Sequence, residues 1–196
     1  MSNKAIARNI ERSLKALNNS DFEEALLYAC HSVDATAKAK YKKNKKPKLG
    51  VGSRIKKFID EYSDFYVYFT LNGMLTTKKD ALDWRIDGKP NTTSEVFYHI
   101  IRCPIDHGED IHDYVVYKNQ PTLGLENNKF IVSPGFIISI LLSVISDPVN
   151  IKQILHKPLD IIFAGSVGPV SIPVQKYWGD YEGLKNLIGF KEVVIG

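Results

Sequence analysis

The stretch SDFEEALLYACHSVDATA, residues 20–37, decides the fold class because its apolar side chains recur at helical spacing. That apolar face consists of Phe22, Leu26, Ala29, Val33 and Ala37. Ser20 and Glu23 have the spacing of a capping box, in which two side chains satisfy free N–H groups at the start of a helix. The stretch therefore predicts an amphipathic helix that begins near Ser20 and ends among lysines near Tyr41.

The same periodicity predicts helices on both sides of this stretch. Their predicted positions are residues 6–17, residues 55–62, a helix that follows the capping box Thr92–Glu95, residues 134–145 and residues 147–156. Residues 63–91 are less regular, and the aromatic side chains of Tyr66, Tyr68 and Phe69 fit either a strand or a longer helix. The chain up to about residue 155 is therefore predicted to be helical.

After Pro158 the pattern changes to short β-strands. Strands are predicted over residues 159–163, 170–174 and 192–195, with a short helix over residues 181–188 that Asp180 caps. We therefore expect a mainly α fold with two parts. Residues 1–157 form a helical domain, and residues 158–196 form a small α/β extension packed on it.

The composition indicates a folded protein of the cytoplasm. The chain has 196 residues, of which 44% are hydrophobic and 24% are charged, which is typical of a globular domain. No apolar segment is long enough to cross a bilayer, and no secretory signal is visible, so we expect no membrane partner. Two cysteines provide neither a disulfide framework nor a metal cluster.

Positive charge is concentrated in one segment of the chain. Residues 35–59 contain many lysines and no Asp or Glu, although the net charge of the whole chain is only +4. Such a surface would bind RNA phosphates, and the candidate RNA-binding residues are Lys42, Lys43, Lys45, Lys46 and Lys48. The alternative is a solvated helix end followed by a lysine-rich loop.

The stretch HIIRCPIDHG, residues 99–108, carries the candidate chemistry of the chain. It contains Arg102 and His107, separated by four residues. Histidine can accept or donate a proton near neutral pH, and the planar guanidinium of arginine suits two phosphate oxygens. Together they are the groups that a metal-independent cleavage of a phosphodiester needs, so Arg102 and His107 are the candidate catalytic residues.

Pro104 lies between the two candidate catalytic residues. Proline removes a backbone donor and clashes with the preceding turn, so we expect the helix to kink or restart there. A restarted helix would direct free N–H groups at an anion held by Arg102 and His107. In the structural alternative, Arg102 pairs with Asp106 and His107 pairs with Asp110.

Four residues are candidates for supporting the motif: Cys103, Asp106, Asp34 and His31. His31 and Asp34 either position the motif or form a polar edge of the helix bundle, and Asp34 is the better candidate for contacting Arg102. A nucleophilic role for Cys103 lacks a residue that would orient its histidine. The spacing of His107 and His112 does not suit zinc, and no glycine-rich loop of nucleotide type is present, so we expect no metal and no cofactor.

The sequence from Arg102 to Gly108, together with the early helix around residues 24–36, resembles the HEPN superfamily of helical-bundle proteins and its Arg-x4-6-His motif. The resemblance covers roughly residues 1–146. It implies a homodimer in which two copies of the motif line one cleft, and a metal-independent RNA endonuclease of toxin or phage-defence type. It also implies that an antitoxin or defence-system protein is a possible partner.

In such an enzyme His107 would take the proton of the RNA 2′-OH or give a proton to the leaving 5′-oxygen. Arg102 would stabilise the charge on the phosphorane, and the product would be a 2′,3′-cyclic phosphate. The alternative is a non-catalytic HEPN-like module that binds RNA, a nucleotide or a protein. Retention of Arg102 and His107 favours the enzyme, whereas Cys103, at a position that is usually polar in the superfamily, favours the module. The enzyme requires both side chains to be exposed in one cleft of a dimer, within about 10 Å of the second copy's pair, and the enzyme is excluded if either of them is buried in an ion pair within one subunit.

Overall fold

The computed structural model describes residues 4–41, 49–73, 84–86, 89–165 and 168–189, and the fold is mainly helical with a few short strands, as predicted. The α-helices are α1 (Lys4–Asn18), α2 (Phe22–Tyr41), α3 (Val51–Glu61), α4 (Ser63–Thr70), α5 (Thr93–Val96), α6 (Cys103–His107), α7 (Pro134–Ser146) and α8 (Tyr181–Ile188). The strands are β1 (Trp84–Ile86), β2 (Lys89–Asn91), β3 (Val115–Tyr117), β4 (Leu125–Glu126), β5 (Lys129–Val132), β6 (Asp160–Gly165) and β7 (Gly168–Pro173). No helix in these ranges is both long enough and apolar enough to cross a membrane.

Helix α7 lies at the centre of the fold. Every residue from Gly135 to Ser146 is buried, and α2 and α4 both pack against this helix. The helix begins as its sequence predicts, because the Ser133 hydroxyl accepts the Phe136 N–H at 3.3 Å and Pro134 occupies the first turn. Such an apolar helix is stable only when other elements cover all its sides.

Gly135 permits the close contact between α7 and α4. A Cβ atom at this position would lie 2.3 Å from the carbonyl oxygen of Phe69 in α4. That distance is far below van der Waals contact, and the obstacle is backbone, which cannot rotate away. The separation of the two helices is therefore set by the absence of a side chain at Gly135.

Helices α1 and α2 form an antiparallel pair near the positions predicted for them. The Ser13 hydroxyl donates to the Ala25 carbonyl at 2.6 Å across the pair. The predicted cap of α2 is wrong by one residue, because the Asp21 carboxylate, not Ser20, accepts the Glu24 N–H at 3.0 Å. Ser20 has φ of 59° and belongs to the turn, so its backbone does not have the extended conformation of an N-cap.

Two predictions for the helical region are wrong and one open question is resolved. A three-stranded sheet of order β3-β5-β4, with β3 and β5 parallel, interrupts the region that was predicted to be helical. The helix predicted over residues 147–156 is only a single 3-10 turn, Pro148–Asn150. Residues 63–70, for which strand and helix both remained open, form α4.

The segment after Pro158 shares its hydrophobic core with the helices. Strands β6 and β7 pair antiparallel, close to the predicted positions, and Asp180 caps α8 by accepting the Gly183 N–H at 2.8 Å. The Phe163 ring on β6 lies 4.7 Å from the Phe69 ring on α4, between centroids. The predicted strand over residues 192–195 lies outside the described residues, and a domain boundary at residue 157 stays a prediction.

A partly buried group of three charged residues links the end of α7 to α2 and α3. The ammonium of Lys40 lies 2.6 Å from the carboxylates of both Asp147 and Glu61. Tyr62 donates its hydroxyl to Asp147 at 2.9 Å, and Asp147 also accepts the Val149 N–H at 2.8 Å. Because Asp147 is fully buried, its charge depends on these donors for solvation.

The substitution Gly135→Ala is expected to destabilise the protein by about 1–3 kcal/mol, because α4 and α7 must separate to admit the methyl group. Chemical denaturation followed by circular dichroism measures the loss. Gly50→Ala is the control for an added methyl group without a clash, since a Cβ at Gly50 meets nothing within 4 Å; because Gly50 is the N-cap of α3, this control is expected to lose only about 0.5 kcal/mol. Equal stability of the two variants would show that the close packing at Gly135 is not required.

The lowered pKa of the Glu61 carboxyl leads us to expect that the protein loses stability in acid. Burial alone would raise its pKa, but the hydrogen bond and charge of Lys40 outweigh burial and lower the pKa below its usual value. A lowered pKa contributes stability above the pKa of the unfolded chain, about 4.3, and that contribution disappears as pH falls through the folded pKa. Between pH ~5 and ~3 the wild type should lose more unfolding free energy than Glu61→Gln, and parallel curves would contradict this.

Candidate functional site

The motif lies on one continuous helix, here called the motif helix, residues 93–107. It consists of α5, a π-helical turn Phe97–Arg102 and α6. Thr92 and Glu95 form the predicted capping box, in which the Glu95 N–H bonds the Thr92 hydroxyl at 3.2 Å and the Glu95 carboxylate accepts the Thr92 N–H at 2.9 Å. The motif helix ends at Gly108, whose φ of 69° is left-handed.

The helix does not restart at Pro104, so that half of the prediction is wrong, whereas the kink given beside it stays a prediction. Arg102 and Cys103, on either side of the junction, both keep right-handed helical backbone angles. The π turn ahead of Pro104 is wider than an α turn, which relieves the clash between the proline ring and the preceding carbonyl. The motif helix therefore has no fresh N-terminus at this point to bind an anion.

The guanidinium of Arg102 is held by two carboxylates of its own subunit. Its Nη2 lies 2.8 Å from Asp34 Oδ2 and its Nε lies 3.3 Å from the same oxygen. Its Nη1 lies 3.0 Å from Asp106 Oδ2, one turn along the motif helix. Both partners were predicted as supporting residues, and the pair Arg102–Asp34 joins the motif helix to α2.

The surroundings of Arg102 favour its charge but limit access to it. Only 12% of its side chain is exposed. Burial alone would lower the pKa of Arg102, but the hydrogen bond and charge of Asp34 outweigh burial and raise the pKa above its usual value. All three nitrogens of the guanidinium donate to carboxylates, so a phosphate could bind it bidentately through the Asp34 edge only by displacing Asp34, and otherwise would reach just the second N–H of Nη1 and of Nη2.

His107 is placed differently from Arg102. It is the last residue of α6 and is exposed, and no hydrogen bond or ion pair to it is found among the described residues. The alternative pair with Asp110 is not found among the described residues, where Asp110 accepts the His112 N–H at 2.9 Å. The interactions of Arg102 therefore do not include His107.

The other two supporting residues lie close to the motif but do not touch its charged groups. His31 is exposed on α2, and its ring packs at 6.4 Å from the Tyr28 ring, which fits the polar edge of a bundle. Cys103 is partly buried beside Tyr98. Burial and the neighbouring Cys103 raise the pKa of the Tyr98 hydroxyl.

Tyr98 is a site residue that the sequence interpretation missed. Its ring centroid lies 5.9 Å from the Arg102 Cζ and 5.8 Å from the Lys56 Nζ, so the ring faces two cations. Gly52 on α3 makes room for it, because a Cβ there would lie 2.7 Å from the Tyr98 Cζ. The spacing of Tyr98 and Arg102, four residues apart on a predicted helix, was the available signal.

A groove of about 420 Å³ lies beside the C-terminal end of the motif helix. Its acidic rim consists of Asp21, Glu23, Glu24 and Glu109, and its apolar wall consists of Leu27, Ile105, Ile111 and Tyr117. Neither lysine nor arginine lines this groove among the described residues. The surface next to His107 is therefore negatively charged, which disfavours a phosphate backbone.

The predicted RNA-binding residues, Lys42, Lys43, Lys45, Lys46 and Lys48, lie outside the described residues. Within the described residues, no three His, Cys, Asp or Glu side chains converge in a way that could hold a metal ion. The arrangement that remains is one arginine locked between carboxylates and one exposed histidine.

Comparison with known proteins gives one match. A family model described as Rv1289 matches residues 5–195 of the chain. No curated protein and no solved structure matches the chain.

Substitution of the two carboxylates that contact Arg102 is expected to lower the free energy of unfolding by unequal amounts. Asp34→Asn breaks a part-buried link between two helices, and we expect a loss of about 1–3 kcal/mol. Asp106→Asn removes a more exposed pair within one helix, 52% exposed at the carboxylate, and should cost about 0.5 kcal/mol or less. Thermal unfolding of both variants measures the difference, at about 2–4 °C per kcal/mol for a chain of this size. An equal or reversed order would contradict a linking role for Asp34.

Proposed function

The chain belongs to the Rv1289 family, and we propose that it is a non-catalytic, HEPN-like helical module that acts by binding another protein. The observation that carries this proposal is the state of Arg102. Its guanidinium is 12% exposed and donates to Asp34 and Asp106 in its own subunit. That arrangement makes the arginine a structural link between α2 and the motif helix.

The HEPN-like part of the proposal is supported by the relation of two helices. The early helix α2 and the motif helix were the two segments that carried the resemblance, and the pair Arg102–Asp34 joins them at 2.8 Å. In this proposal the motif keeps its position in a helical bundle, and Arg102 stabilises the packing of two helices instead of binding a substrate.

The negative charge of the surface beside the motif favours binding of a protein there over binding of RNA. The groove beside His107 is rimmed by Asp21, Glu23, Glu24 and Glu109. Phosphates approaching this groove would be repelled, and none of its described lining residues is a lysine or arginine that could neutralise phosphates and so release their counterions, the term that drives nucleic-acid binding. A protein surface can instead be matched to such a groove in shape and charge.

The second candidate is the metal-independent RNA endonuclease, and the exposure of His107 favours it. In that enzyme His107 would take the proton of the RNA 2′-OH. Arg102 would stabilise the phosphorane after the phosphate had displaced Asp34 and Asp106 from the guanidinium. A homodimer would place two such motifs in one cleft, and an antitoxin or defence-system partner would then control access to it.

Incubation of total RNA with purified protein in EDTA separates the two functions. For the module we expect no cleavage, so wild type, Arg102→Ala and His107→Ala should give the same RNA profile. Thermal unfolding of the same samples should show a lower Tm for Arg102→Ala and an unchanged Tm for His107→Ala, because only Arg102 holds structural partners.

Cleavage by the wild type that both substitutions abolish, with 2′,3′-cyclic phosphate ends, would replace the module with the endonuclease. Cleavage that persists equally in both variants, and that stays with the protein through further purification, would also overturn the non-catalytic module, because the catalytic residues would then lie outside the motif.

A further inference from the structure

The loop that follows α7, residues 148–156, turns aliphatic side chains towards solvent. Ile154 is 75% exposed, Ile151 is 64% exposed, and Val149 is also exposed. Three of the six large hydrophobic side chains that are exposed among the described residues therefore lie in this one short loop, and an exposed apolar surface of this kind can mark an interaction site.

The outward orientation is fixed by the inward-facing residues of the same loop. Asn150 is buried and donates to the Val144 carbonyl at 2.7 Å and to the Thr36 hydroxyl at 3.0 Å. Gln175 accepts the Leu155 N–H at 3.0 Å and donates to the Gln153 carbonyl at 3.4 Å. The loop is therefore held on both sides, and its aliphatic side chains are presented by a rigid scaffold.

Gly179 adds a close backbone contact under the loop. Its φ is 72°, and a Cβ there would lie 2.7 Å from the Cβ of Ile151. Its N–H donates to the Ile145 carbonyl at 2.8 Å. Because the loop is already ordered, a partner would bind it without losing further conformational entropy in the loop.

A groove of about 700 Å³ lies between this loop and α1. It is lined by Ala7, Arg8, Glu11, Lys152, Ile154, Leu155 and His156. The Glu11 carboxylate is used within the chain, since it accepts the His156 N–H. The cations Arg8 and Lys152 are exposed at the groove, and the exposed Lys157 follows it in the sequence.

We propose that this groove, named here the α1–loop groove, is the docking site for an acidic amphipathic segment of a partner protein. The partner's apolar side chains would pack against Ile154, and its carboxylates would face Arg8 and Lys152. The inference rests on the proposed function, because it supplies the surface through which the module binds.

Other occupants fit the groove less well. A bilayer surface would not fill a concave groove between a helix and a loop. Single-stranded RNA is held by stacking of bases on aromatic rings, and the lining of the groove contains neither Phe, Tyr nor Trp. The acidic groove of a second copy is itself concave, so it cannot insert into this one.

Two synthetic amphipathic helical peptides with identical leucine positions test the proposal, one with glutamate and the other with lysine at the charged positions. Fluorescence anisotropy with the full chain should show that the glutamate peptide binds at least about tenfold more tightly. Ile154→Ser should weaken that binding by about tenfold, because an aliphatic contact is lost. Lys152→Glu should remove the preference for the glutamate peptide.

Ile162→Ser is the matched control, since Ile162 on β6 is 64% exposed and lies outside the groove. It should bind the glutamate peptide as the wild type does. All three substitutions alter exposed side chains, so the variants are expected to fold. Equal binding of both peptides, or equal losses in Ile154→Ser and Ile162→Ser, would overturn the proposal.

Two further outcomes would assign the loop to another occupant and also overturn the proposal. In the first, the protein sediments with vesicles containing phosphatidylserine but not with pure phosphatidylcholine vesicles, and Ile154→Ser abolishes this sedimentation. The other is self-association in analytical ultracentrifugation that Ile154→Ser abolishes. RNA cleavage through the motif would instead overturn the proposed function and leave the peptide result to be judged separately.

Discussion

The complete burial of α7 is the constraint on which the rest of the structure depends. A helix that is apolar on all its sides must be covered from every direction, and two of its buried hydroxyls, those of Ser139 and Ser143, find hydrogen-bond partners within the core. Ser143 donates to the Ile140 carbonyl at 2.7 Å and lies 3.2 Å from the Tyr66 hydroxyl, so it brings α4 onto α7 through a polar contact. The extension after Pro158 belongs to the same core, which explains why Phe163 packs on α4.

The pair Arg102–Asp34 illustrates how an ion pair can serve either structure or chemistry. A guanidinium stabilises a developing phosphorane only if its donors are free when the phosphate arrives. Here each nitrogen of the guanidinium already donates to a carboxylate, and moving the side chain would leave Asp34 partly buried without its partner. The free energy that stabilises the bundle is therefore the same free energy that a substrate would have to overcome, which favours the structural role.

The sequence predicted those parts of the fold that depend on local signals. The caps at Thr92, Ser133 and Asp180 placed three helices correctly because each cap acts within one turn. The sheet of β3, β4 and β5 was missed because its strands are two to four residues long and β3 pairs with β5 across an intervening segment. The contacts of Arg102 with Asp34 and Asp106 were predicted, whereas the continuous helix through Pro104 depends on a π turn for which the sequence carries no plain signal.

Helix α2 connects the motif to the α1–loop groove, and its geometry decides how the two are related. Asp34 and Thr36 are two residues apart, so their side chains point about 200° apart around the helix. Asp34 thereby holds the motif helix while Thr36 accepts the hydrogen bond of Asn150 under the loop. Because α2 is packed on both sides, a ligand at the loop would change the Arg102 pair only if α2 had a second packed arrangement. In the packed arrangement of α2, a partner docked at the loop would leave Arg102 bound to Asp34, so the proposed partner binding and the structural role of the motif are compatible in one state of the molecule.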